Sequence, residues 1–329
     1  MRFLLSDEQR QFARTLDGML RSAGTPGVVR SWASGDHGPG RALWAMLAKV
    51  GVFALAVPEE HEGAGLLPLE LAVGFGELGR HAVPGPLAET AAAGALLGRL
   101  GGDAARVWLP RLASGKAVAS LCVLWPGGSP YALDADAADA VFVVDGDTVR
   151  LADAHGPVQP SADPARRPAR PLGGVVVAQG PAVPTAAAYA ADVAALVTAA
   201  QALGVGRTLL ERTVQYVRQR TQFGVAVGSF QAVKHRLADT FIALEFAQPL
   251  VHAAALALTA DDPAAGREVA AAKVSACEAA YAAARTALQL HGAVGYTEEL
   301  DLSLWIRKAR PLRTAWGTPA VCRARVLAG

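Results

Sequence analysis

The texture of the sequence changes twice, and the two changes restrict the fold more than any single motif. Residues 1–116 have helical periodicity, residues 117–184 consist of short β-branched runs, and residues 185–329 are helical again. The pattern predicts a mainly α chain: an N-terminal helical domain, a reduced middle β-domain and a C-terminal four-helix bundle. In the first block Ser6 precedes DEQRQFARTLDGMLRSAG, acidic at its start and basic late, as the helix dipole favours. Phe12, Leu16, Met19 and Leu20 make one apolar face of that helix. RALWAMLAKVG predicts a helix ending at Gly51, VPEEHEGAGLLPLE a loop, and LELAVGFGELGRHA another helix. In the middle block AVASLCVLW, AVFVVDG, TVRLADA and GGVVVAQ read as strands, too few for a complete sandwich, with SADPARRPARP as an irregular basic loop. In the third block QALGVGRTLLERTVQYVRQR and EVAAAKVSACEAAYAAARTALQLHG are long helices. Their small residues allow close packing, and Gly292 stops the second.

Composition narrows the class. A chain of 329 residues buries a large core, and 52% hydrophobic residues exclude disorder. A net charge of +2 gives no footprint for nucleic acid. Cys122, Cys277 and Cys322 are far apart, form no metal-ligand spacing, and read as reduced, small hydrophobes. The N-terminal apolar run meets charges at once, unlike a signal peptide, and charges interrupt every Ala-rich run before about twenty residues. The expectation is a cytoplasmic protein without a membrane span.

Two segments carry the chemistry. RTQFGVAVGSFQAVKHRLADT follows a helix ending VRQR and places Arg220 beside a Gly-containing turn. Read alone, it is equally a solvated arginine and a packed phenylalanine. The second, ALQLHGAVGYTEELDLSLWIRKAR, stops a helix at His291-Gly292, where Gly292 and Gly295 let backbone approach a ligand and Gln289 offers an amide. Read alone, it is a helix cap.

Together and in this order these segments resemble the acyl-CoA dehydrogenase family. WAMLAKVGVFALAVPEEHEGAGL resembles the family's N-terminal loop and GELGRHAVPGPLAET the helix and turn after it. RTQFG is similar to the flavin-contacting Arg-x-Gln-Phe-Gly segment, and QLHGAVGYTEE to the Gln-x-x-Gly-Gly-x-Gly segment with Ala293 in place of the second glycine. The resemblance implies FAD shared between subunits. Arg220 would pair with the pyrophosphate, with Phe223 packed beside the cofactor. Gln222 and Gln231 would add amide contacts, Gln289 and Gly292 would face the far end of the ADP, and Thr318 would also contact the cofactor. In the family a Glu before a Gly-Thr near the C-terminus removes the α-proton of the acyl-CoA. Here Trp316 stands in that place, and no catalytic residue is assigned. Asp192, near Ala195, lies a turn off the register of the alternative base. WPGGSPYALD, with Pro126 and Gly128, replaces the Thr-Glu-Pro-x-x-Gly-Ser-Asp segment that contacts the flavin ring.

The losses fall on the ring and base side while both ADP segments remain. The resemblance therefore implies the short, base-less subunit of the α2β2 acyl-CoA dehydrogenases of actinobacterial steroid side-chain breakdown. Its partners would be a catalytic acyl-CoA dehydrogenase subunit, a bulky acyl-CoA and an electron-transfer acceptor. A homotetramer with a displaced base and a flavin-free scaffold are the alternatives.

Overall fold

The computed structural model describes residues 4–125 and 128–328. Three helices open the chain, α1 (Asp7–Ser22), α2 (Thr25–Ser34) and α3 (Gly38–Lys49). Strands β1 (Ala56–Val57) and β2 (Gly65–Leu66) form a small hairpin, followed by α4 (Pro68–Arg80), α5 (Leu87–Leu100) and α6 (Gly102–Ala113). Then come β3 (Ala119–Val123), β4 (Ala132–Leu133), β5 (Ala140–Asp145), β6 (Thr148–Leu151), β7 (Ala154–His155), β8 (Pro168–Ala169), β9 (Pro171–Leu172) and β10 (Val175–Gln179). The rest is α7 (Ala182–Gln219), the hairpin β11 (Thr221–Gln222) and β12 (Val225–Ala226), α8 (Gln231–Thr259), α9 (Ala265–His291), α10 (Leu302–Thr314) and α11 (Pro319–Ala328). The chain is mainly helical with a small β-part, as its texture predicts.

The contacts divide the chain into two compact units. One comprises Ser22–Leu71 and Val83–Ala195. Its sheet has the order β10-β6-β5-β3, with β3 parallel to β5 and the other pairs antiparallel. β3 and β5 are buried almost throughout, and α5 packs on β3, where the Thr90 hydroxyl donates to Ala119 O at 2.6 Å. Gly94 and Gly98 let α5 approach Ala56 and Pro58 of the N-terminal loop, where a Cβ would meet atoms at 2.8 and 2.9 Å. The Arg41 guanidinium forks onto Asp139 at 2.6 and 3.1 Å, and Asp139 also accepts from Val118 N. The loop expected over VPEEHEGAGL contains the β1–β2 hairpin, and α2 occupies a stretch in which no helix is expected.

The second unit comprises the residues up to Arg21, Ala72–Ala82 and the chain from Leu196 onward. α1 starts with a capping box: the Ser6 hydroxyl accepts from Gln9 N and the Gln9 amide oxygen accepts from Ser6 N. Leu16 and Leu20 are its fully buried residues. Glycines set the helix spacing. A Cβ on Gly204 would lie 1.9 Å from Gly76 O, and one on Gly79 2.0 Å from Gln201 O, so α4 and α7 touch through backbone. Gly206 does the same where α7 meets Leu244 of α8 and Ala280 of α9. α9 buries an alanine face from Ala265 to Ala287.

Beside this crossing Arg80 forks onto Glu211 at 2.9 Å on both nitrogens, its carbonyl accepts from Thr208 Oγ1 and Trp305 Nε1, and His81 Nε2 lies 2.9 Å from Asp17 Oδ1. Ligand-type atoms of Asp17, Glu77 and His81 come within 4.8 Å of one another, but Arg21 and Arg80 pair with the carboxylates. Burial pushes the Glu77 carboxyl up to about 7, against the lowering influence of Arg80.

α7 and α8 are each long and apolar enough, by length and composition, to cross a bilayer. Burial inside the protein accounts for the apolar run of α7. α8 is covered over less than half of its run, and Phe241, Ile242, Phe246 and Leu250 stand exposed along it.

Candidate flavin-binding site

The hairpin after α7 is built to present side chains outward. Its two-residue loop, Phe223-Gly224, has positive φ at both positions (53° and 80°), the requirement of a type I′ turn. Glycine meets that requirement freely, but a bulky residue in the left-handed region is rare and strained. Phe223 accepts it and is 92% exposed, with Phe230 edge-on to its ring at 6.5 Å between centroids. The Arg220 main chain is fixed on both sides, its N–H donating to Tyr216 O at 2.9 Å and its carbonyl accepting from Val227 N at 2.8 Å. Its exposed guanidinium has no hydrogen bond or ion pair among the described residues. Gln222 is exposed on β11. Gln231 is exposed at the first position of α8, whose N-cap, Phe230, supplies no side-chain acceptor. A long helix thus opens with donor N–H groups uncapped by a side chain, near an unpaired guanidinium, an arrangement that suits an anion.

The second segment closes on the same end of the bundle. Tyr216, one turn before Arg220, stacks on His291 with centroids 4.1 Å apart and planes at 22°, and its hydroxyl lies 3.5 Å from His291 O. His291 Nδ1 faces Ala287 O at 2.8 Å, and burial lowers the imidazole pKa. The end of α7 is thereby fixed to the end of α9. α8 runs antiparallel to α9, so its first turns also reach this end: Arg236 donates to the Gln289 amide oxygen, and Thr240 meets Thr286 at 3.4 Å. Arg220, Gln222, Phe223, Gln231, Gln289 and Gly292 therefore belong to one end of three helices. The two glycines differ from one another. Gly292 has φ 64° and ψ −141°, a conformation that favours glycine, with open space at its Cβ position. Gly295 is packed against its own segment, His291 and Leu288.

The place of the expected base lies between α10 and α11. Trp316 has φ 54° and Gly317 φ 126°, so the chain reverses sharply there. Thr318, expected to contact cofactor, caps α11: its hydroxyl accepts from Val321 N at 3.3 Å. Behind the turn lies Lys273, fully buried, whose ammonium donates to Leu312 O, Arg313 O and Gly317 O at 3.1, 3.4 and 3.3 Å. Three carbonyls use all three ammonium donors and seat the charge at the C-terminus of α10. Cys277 donates to Leu312 O, and all three cysteines are free and buried. Burial pushes the Cys122 thiol up to about 11, which leaves it inert.

The segment in place of the ring-contacting loop offers no outward carboxylate. Pro126 lies outside the described residues, as does Gly127. Trp125 and Tyr131 are exposed beside the loop, and Cys122 Sγ lies 3.8 Å from Ser129 O. Asp134 is wholly buried; burial pushes its carboxyl up to about 7, and Oδ1 accepts from Arg167 N at 2.9 Å. That carboxyl shapes a turn. Asp192 is buried on α7 and has a partner.

The sequence expectation named Arg220 and Gln289 but missed Tyr216, Arg236 and the role of His291 as a ring partner. A Tyr one helical turn before the arginine was the available signal.

Comparison with known proteins identifies the family and the fold. Residues 6–116 match the family described as acyl-CoA dehydrogenase, N-terminal domain, and residues 185–329 that described as acyl-CoA dehydrogenase, C-terminal domain. The chain is 36% identical over 313 residues to acyl-CoA dehydrogenase IpdE2 of Mycobacterium tuberculosis (strain ATCC 25618 / H37Rv), covering 92% of this chain and 91% of the relative. A chain of the ChsE4-ChsE5 complex from Mycobacterium tuberculosis superposes with a TM-score of 0.86 at 24% identity, over 100% of this chain and 98% of that one. A chain of the Tcur3481-Tcur3483 steroid ACAD G363A variant superposes with a TM-score of 0.84 at 24% identity, over 98% and 97%.

Proposed function

The chain belongs to the acyl-CoA dehydrogenase family, and from that premise we propose that it is the base-less subunit of a heteromeric acyl-CoA dehydrogenase acting on a bulky, steroid-derived acyl-CoA. It supplies the ADP-binding half of an FAD site, and a catalytic partner supplies the carboxylate base and the ring pocket. One observation carries the reading. The ADP-side residues gather at one end of the bundle with an unpaired guanidinium and an outward phenylalanine, while indole stands at the place of the base. The three-part division at 116/117 and 184/185 belongs to the same reading. Solved relatives described as a two-protein complex and as a steroid enzyme support the partner and substrate class.

Bound flavin supplies the hydride acceptor for α,β-desaturation. The contribution of this chain is to hold and orient it. Arg220 would hold the pyrophosphate by charge-assisted hydrogen bonding. The first turn of α8, with Gln231, would add donors to the same charge, Gln222 and Phe223 would flank the dinucleotide, and Gln289 would face the far end of the ADP. Trp316 cannot take a proton, because indole is a donor only. The α-proton would therefore go to a carboxylate of the partner.

The experiment is a stoichiometry. The complex isolated through a tag on this chain should contain one FAD per heterodimer and desaturate a steroid side-chain acyl-CoA. One FAD per subunit, or an active yellow protein of this chain alone, would instead establish a complete site here. A complex without flavin would leave only a scaffold.

A further inference from the structure

We infer that Arg236 is a positioning residue for the ADP end of this site: it holds the Gln289 amide with its NH2 group turned outward, as a donor to an acceptor atom of the ADP half. The inference rests on the flavin-sharing reading above and gives a role to a residue that lies outside both the Arg-x-Gln-Phe-Gly and the Gln-x-x-Gly motifs.

Arg236 lies in the second turn of α8, exposed, and no carboxylate pairs with it among the described residues. Its side chain donates to one atom, Gln289 Oε1, across the antiparallel contact with α9. The chemistry fixes which amide atom that is. A guanidinium has five donors and no acceptor, so only the amide oxygen can face it, whatever flip is assigned. The amide is planar, so fixing the oxygen fixes the NH2 group on the other side. Gln289 is exposed in the last turn of α9, and its NH2 donates to nothing among the described residues. An exposed glutamine without such a partner samples many rotamers and both flip states, and binding must then order it. With Arg236 in place the donor is set before ligand arrives. A glutamate at 289 would make the commoner ion pair, but it would cancel the guanidinium charge and remove both donors. Glutamine leaves the positive charge uncompensated at the end of the bundle that also carries Arg220.

The test is a double-mutant cycle on FAD affinity. It is read by flavin fluorescence on the flavin complex isolated through a tag on this chain, or on the full chain if none co-purifies. Arg236→Ala should weaken FAD roughly three- to tenfold, the scale of one lost hydrogen bond. Gln289→Ala should do the same, and the double variant should be no weaker than either single. Arg236→Lys should fall between, because a point charge holds the amide oxygen without the planar fork. Additive losses, with a shallower salt dependence in Arg236→Ala, would make Arg236 a direct phosphate ligand and overturn the positioning role. A lower melting temperature with unchanged affinity would also overturn it. Arg220→Ala is the control. If it weakens FAD while Arg236→Ala does not, this inference alone fails. If Arg220→Ala and Gln289→Ala both leave affinity unchanged, the flavin-sharing reading fails and this inference with it.

Discussion

At the scale of single residues, Arg220 carries the most decisive prediction. Its main chain is pinned to Tyr216 and Val227, while its guanidinium pairs with nothing among the described residues. Removing it therefore costs the fold little and the ligand much. Arg220→Ala should lose about 1.5–3 kcal/mol of FAD binding, roughly ten- to a hundredfold, and Arg220→Lys should recover only part. Flavin absorbance per mole of dialysed complex, with and without added FAD, checks this. A solvated arginine would shift stability by a few tenths of a kcal/mol and leave flavin content alone. Glu77 gives a prediction of a different kind. Burial pushes its carboxyl up to about 7 from the ordinary 4.5, so the fold favours the neutral form. The raised value means that stability is fully present below about pH 4.5 and declines as pH rises through 7, by on the order of 3 kcal/mol. Glu77→Gln should abolish this decline, leaving the variant more stable than the parent at pH 8. Urea midpoints from pH 4.5 to 8.5 test it, and parallel curves for the two proteins would refute it.

At the scale of elements, the close crossing of α4 and α7 makes a sharp demand. A Cβ on Gly204 would sit 1.9 Å from a backbone oxygen, which no rotamer change relieves. Gly204→Ala should destabilise by about 1–3 kcal/mol or more as the helices part, visible as a lower denaturation midpoint, whereas at solvent-facing Gly18 an alanine meets nothing within 4 Å. Much at this scale was legible. The Ser6 cap, the Gly292 stop and the four longer strands follow from local chemistry: a hydroxyl before an acidic turn, a residue free of Cβ strain, β-branched alternation. α2 was not legible, because Thr-Pro-Gly reads as a breaker, although proline is tolerated in a first helical turn. The β1–β2 hairpin is two residues a side, too short to leave a period. Of the candidate site, both segments were legible as strings. The Tyr216–His291 stack joins residues 75 apart in sequence, and periodicity carries no information about such pairs.

At the scale of the whole molecule, the exposed face of α8 calls for a neighbour. Phe246 is 75% exposed, and Phe241, Ile242 and Leu250 continue its stripe. A contiguous apolar surface on a polar-rimmed protein marks an interaction site. Phe246→Arg should leave circular dichroism and melting temperature nearly unchanged, since an exposed side chain contributes little to the fold. It should block co-purification of the catalytic subunit, which size-exclusion chromatography would show. Retention of the complex by that variant would place the interface elsewhere. Lys273 has a last consequence of another sort. The reversal between α10 and α11 is braced from within by an ammonium that holds three main-chain oxygens. Because every residue type carries a main-chain carbonyl, a change of side chain at 316 removes none of the oxygens that the ammonium holds. The turn can thus take a new side chain at that point and keep its course, a place where sequence can vary while architecture persists.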